Sequence, residues 1–82
     1  MNSGQQLKFP QYRKYKNNRS YFCINSAESF EEITVMGELY TLHIFTSKIL
    51  PDRHLVNDLL YNYTDHWDLI SEEEYQQIKS RV

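Results

Sequence analysis

From Phe30 to Met36 and from Leu39 to Thr46 the chain is rich in β-branched and aromatic residues, and only Gly37-Glu38 separates the two runs. Glycine at the first central position suits a two-residue II′ turn, so the runs predict a β-hairpin. The register follows from the turn. One face collects Val35 with Tyr40, Ile33 with Leu42, and Glu31 with Ile44. The other collects Met36 with Leu39, Thr34 with Thr41, Glu32 with His43 and Phe30 with Phe45. Thr–Thr, acid–imidazole and Phe–Phe are favourable cross-strand neighbours, and a one-residue slip would turn every side chain of one strand to the wrong face.

The remaining pattern supplies the other elements. Ser20–Asn25 (SYFCIN) reads as a preceding strand, followed by a turn cluster at Asn25–Ser29. Leu55, Val56, Leu59, Leu60 and Tyr63 recur at helical spacing. Pro51 and Asp52 suit the first turn of that helix, where a missing N–H costs nothing and a carboxylate meets the positive end. Asn62–His66 closes it, and Trp67–Ile70 is a candidate short strand. Ser71 with Glu74 forms a capping box, and Ile70 and Tyr75 occupy the two positions of a hydrophobic staple across it. Tyr75, Ile78 and Val82 give that last helix a thin apolar stripe. The order β-β-β-α-β-α predicts an α+β fold: a small antiparallel sheet of three strands and a short candidate fourth, with two helices on one face. Residues 1–17, polar and basic with Gly4 and Pro10, show no period and read as an N-terminal arm; residues 18–82 read as a single α+β domain.

Charge sharpens the division. Residues 1–27 carry Lys8, Arg13, Lys14, Lys16 and Arg19 and no acid, a formal +5. Residues 28–82 carry all eleven acids against four basic residues, a formal −7, so the net −2 hides a basic arm joined to an acidic body. Such asymmetry bears on association rather than on fold. Lys8-Phe9, Tyr12-Arg13, Lys14-Tyr15-Lys16 and Arg19 interleave cations with rings, the mixture that grips phosphates and stacks on unpaired bases. Single-stranded nucleic-acid binding through this arm is therefore one reading. Folding of the arm back onto the acidic body is another, and the acidic surface works against nucleic acid because it repels phosphates.

Chemistry is sparse. Cys23 is the one cysteine, so no disulfide forms within the chain. It lies in a strand between Phe22 and Ile24, where cysteine is usually inert filler. His43, His54, His66, Asp58, Asp65 and Cys23 lack zinc-ligand spacing. With two glycines in the chain there is no phosphate-cradling loop. Glu31 and Glu32 point to opposite sheet faces and cannot act together as acid and base. The expectation is a non-enzymatic protein with no cofactor and no metal. No apolar run approaches the ~18 residues that span a bilayer, and the N-terminal stretch lacks the apolar region of a secretory signal, so a cytoplasmic location without a membrane partner is expected.

Seven Tyr, four Phe and one Trp are many for 82 residues, and large aromatic residues serve both small cores and interfaces. The favoured reading is a small protein-binding module. Its acidic body could occupy a basic groove as a phosphate mimic, in the manner of an inhibitor or accessory factor, and its aromatic sheet face would be uncovered unless something packs on it. The candidate contact residues are Phe30, Glu31, Met36, Glu38, Leu39, Phe45 and Asp58, and the partner is another protein, self-association included.

Overall fold

The computed structural model describes residues 8–26, 28–46 and 50–82, with side chains from residue 54 onward in the last segment. Five strands and two helices follow in the order β1 (Gln11–Tyr15), β2 (Ser20–Ser26), β3 (Ser29–Met36), β4 (Leu39–Thr46), α1 (Leu50–Tyr61), β5 (Trp67–Leu69) and α2 (Glu72–Lys79). The strands form one antiparallel sheet in spatial order β4-β3-β2-β1-β5. The α+β class holds, with one strand more than the sequence pattern indicated.

That strand lies in the segment read as an arm. Arg13 pairs with Phe22 on one side and with Leu69 on the other, so β1 is an interior strand between β2 and β5. Residues 1–7 of the expected arm lie outside the described residues. The Lys16–Arg19 turn between β1 and β2 carries Asn18 at φ 61, a left-handed conformation that asparagine tolerates better than most residues. The β3–β4 hairpin has the register expected from its turn, from Met36↔Leu39 to Phe30↔Phe45 and on to Ser29↔Thr46. Gly37 sits at φ 62, as a II′ turn requires.

The helices lie on opposite faces of the sheet, not on one. On the first face Phe22, Ile24, Phe30 and Trp67 pack against Val56, Leu59 and Leu60 of α1. On the second, Tyr21, Cys23 and Ile33 pack against Tyr75 of α2, with Ile70 and Ile78 alongside. The reason is visible in β2, where Ser20 through Ile24 are all buried. A strand apolar on both faces needs a cover on each. α1 covers the sheet only as far as the Phe30–Phe45 rings, which stack 4.7 Å apart. Beyond them the Glu32–His43, Thr34–Thr41 and Met36–Leu39 pairs share that face, and neither core cluster of the described residues includes them.

Local signals account for the helix ends. The Ser71 hydroxyl accepts from the Glu74 amide at 3.1 Å, completing half of the capping box. Glu72, Glu73 and Glu74 occupy the first turn and Lys79 the last, as the helix dipole favours.

Candidate functional site

Each element fixes where the sequence-predicted contact residues fall, and they do not converge on one patch. Phe30 is fully buried between sheet and α1, and Phe45 is half-buried beside it. The sheet face expected to be uncovered unless something packs on it is, at these rings, covered by α1. Glu31 points to the other face, beneath α2. Its carboxylate accepts from the Tyr75 hydroxyl at 2.8 Å and pairs with Lys79 at 3.0 Å. Asp58 is exposed on α1. Met36, Glu38 and Leu39 do come together, at the tip of the β3–β4 hairpin.

Arg13 and the rings of Tyr12 and Tyr15 are engaged inside the fold, whereas the lysines of the first segment pair at its surface. Arg13 is buried. Its Nε donates to the Leu59 carbonyl at 2.9 Å, its Nη1 to the Tyr12 carbonyl at 2.9 Å and its Nη2 to Gln11 Oε1 at 2.6 Å, and its guanidinium lies 4.5 Å from the Tyr63 ring centre. Burial lowers its pKa from the ordinary arginine value. Lys14 pairs with Glu74 at 3.5 Å and Lys16 with Asp68 at 3.9 Å. Tyr15 stacks on Trp67 at 5.3 Å, and Tyr12 packs against Tyr75 at 5.3 Å. Lys8, Phe9 and Arg19 remain exposed. The split charge thus meets itself across the β1–β5 and β1–α2 contacts. A shallow groove beside β5 is lined by Lys14, Lys16, Asp68 and Glu74, the members of those two ion pairs.

Reactive chemistry is muted. Cys23 is buried, and burial, reinforced by Glu31, pushes its thiol up to about 11. A thiol so placed carries almost no thiolate at neutral pH. Burial first, and then the hydrogen bond to Glu31, pushes the Tyr75 hydroxyl well above the usual tyrosine range. No group of three or more His, Cys, Asp or Glu side chains gathers as a metal site among the described residues.

The outer edge of β4 is what sequence reasoning missed. Val35 donates its amide to Arg19 on the β2 side, so the alternate residues Phe30, Glu32, Thr34 and Met36 bond to Leu39, Thr41, His43 and Phe45. The amides and carbonyls of Tyr40, Leu42, Ile44 and Thr46 then point away from the sheet. Among the described residues no strand pairs with them. Apolar side chains flank this open ladder: Met36, Leu39 and Ile44 are 76%, 64% and 74% exposed. A hollow beside the tip is lined by Arg19, Ser20, Thr34 and Met36. The sequence signal was present in LYTLHIFT, which carries no Lys, Arg, Asp, Glu or Pro, but only the strand order identifies it as an edge.

Comparison of the chain with protein-family models, with curated proteins and with solved structures finds no match. No helix among the described residues is long and apolar enough to cross a membrane.

Proposed function

We propose that this protein is a non-catalytic protein-binding module whose contact surface is the tip and outer edge of the β3–β4 hairpin. The observation that carries the reading is the open β4 ladder flanked by Met36, Leu39 and Ile44. Unpaired strand edges add a strand from a partner through main-chain hydrogen bonds, while alternate side chains give specificity. Exposed apolar side chains gathered beside such an edge mark a contact rather than a solvated surface. The buried, high-pKa Cys23 thiol supports a role without nucleophilic chemistry. The pairing of Glu31, Asp68 and Glu74 with lysines of the same chain supports an apolar edge, rather than a carboxylate surface, as the principal contact. An inhibitor or accessory factor that acts by occupying a strand-binding surface fits this arrangement.

The test places a photo-crosslinking amino acid at Leu39, at Ile44 and, as a control of similar exposure on α1, at Tyr61. Expressed in the native host, the two β4 variants should capture protein and the Tyr61 variant should not. Equal capture from Tyr61, or none from β4, would refute the reading.

A further inference from the structure

The two edges of the sheet are built differently. β5 is three residues long and carries Asp68 at its centre, paired with Lys16. Short length and inward or flanking charge are devices that blunt an edge. β4 has neither. It runs eight residues, about 27 Å at ~3.4 Å per residue, and keeps an unbroken register with β3. A long edge in unbroken register, without Asp, Glu, Lys, Arg or Pro of its own, is suited to pairing.

We infer that the occupant of this edge is a second copy of the chain, through antiparallel β4–β4 pairing about a two-fold axis at Leu42. This rests on the protein-binding reading above and names its partner. The strand is self-complementary in that register. Leu42 faces its own copy, Tyr40 faces Ile44, Thr41 faces His43, and Leu39 faces Phe45. The outward amides and carbonyls of Tyr40, Leu42 and Ile44 meet those of the other copy in bonding phase. The most exposed apolar side chains of the edge, Leu39 and Ile44, each gain an apolar neighbour. The neighbouring registers are poorer. One places His43 against His43, and the other places Ile44 against Glu38. The assembly also closes. Pairing consumes both β4 edges and leaves a ten-stranded sheet ending in β5 on each side, the edge already blunted by its length and by Asp68. A two-fold interface of this kind stops at the dimer rather than extending into a fibre.

The contact is confined to one strand pair and its flanking side chains, smaller than a standard interface, so association in the micromolar range is expected, roughly 1–100 μM. Sedimentation velocity of the full chain over that range should show a reversible monomer–dimer shift. Ile44→Lys changes a residue that is mostly in solvent and should leave the circular-dichroism melt unchanged while weakening dimerisation by roughly tenfold or more. The register has its own readout. Leu42→Cys, exposed to oxidised glutathione, should form a covalent dimer, because Leu42 faces itself at a Cα separation of about 5.5 Å. Thr41→Cys should not, because its counterpart lies about two residues along the partner strand, beyond the ~7 Å limit. A chain monomeric at all concentrations, or a dimer indifferent to Ile44→Lys, overturns the inference. Crosslinking from Leu39 and Ile44 to a different protein, with the purified chain monomeric, overturns the second copy as occupant and leaves the protein-binding reading intact. Absence of both self-association and capture overturns both.

Discussion

Tyr75 is the one fully buried residue of α2, at 1% exposure, and it holds the helix in two separable ways. Its ring fills the second core between Tyr12, Tyr21 and Ile33, and its hydroxyl donates to Glu31 at 2.8 Å. Tyr75→Phe removes only the hydroxyl. A hydrogen bond to a charged group contributes about 1.5–3 kcal/mol. Glu31 keeps Lys79 at 3.0 Å on the same oxygen, so the lower end applies and a loss of about 1.5 kcal/mol is expected. Tyr75→Ala also removes the ring and should cost about 3–5 kcal/mol, the usual range for truncating a buried aromatic. Against a total of about 5–15 kcal/mol for a small domain, the second variant approaches unfolding. Urea titrations followed by Trp67 fluorescence, with far-ultraviolet circular dichroism in parallel, measure both. Trp67 lies in the other core, so coincident transitions show that the two faces unfold together. A double-mutant cycle with Glu31→Gln should return a coupling of about 1 kcal/mol. Tyr75→Phe at less than about 0.5 kcal/mol, or no coupling to Glu31, would refute the claim that the hydroxyl helps dock α2.

Gly37→Val should destabilise by about 1–2 kcal/mol in a thermal melt. An added Cβ at Gly37 meets nothing within 4 Å, so the cost is that of φ 62 and not of a clash. Ser71→Ala should cost about 1 kcal/mol by the same measurement, the usual worth of an N-cap side chain, here the bond to the Glu74 amide. The melting temperature should fall as pH rises through about 9 to 11, because the folded state holds the Cys23 proton more tightly than the unfolded chain does. The stability linked to that proton is fully present below the unfolded pKa and lost as pH passes the folded one. Cys23→Ala should flatten the slope in that window, and an unchanged slope would assign it to other groups.

The parts of the fold legible in the sequence are those set by local chemistry. The β3–β4 register follows from a two-residue turn and the pairs flanking it, and the start of α2 follows from Ser71, Glu74, Ile70 and Tyr75. β1 was not legible because its central inward residue is Arg13, whose buried guanidinium is satisfied by Leu59, 46 positions along the chain. A window over QYRKY shows cations, and only the distant carbonyl and the Tyr63 ring show why one can be buried. The placement of the helices was legible in principle. Tyr21, Phe22, Cys23 and Ile24 form an unbroken apolar run, the pattern of a strand covered on both sides. Of the candidate site, the hairpin-tip residues Met36, Glu38 and Leu39 could be read from sequence. The open side of β4 could not, because being an edge is a property of strand order.

The position of β1 also bears on how the chain reaches its fold. The β3–β4 hairpin closes across two residues, whereas β1 meets β5 at Tyr15↔Trp67, with more than fifty residues between the partners. Closing so long a loop carries a larger entropic cost than zipping a hairpin, and contacts of high sequence separation form slowly. The hairpins can therefore assemble before the β1–β5 seam. Until it forms, the outer side of β1 is open, and Arg13 waits for Leu59 and Tyr63. Of the cations in this segment, Arg13 is thus withdrawn from solvent only when these distant contacts form, while Lys16 and Arg19 stay exposed. In hydrogen-exchange experiments the β1–β5 amides should open at lower free energy than those of β2 and β3.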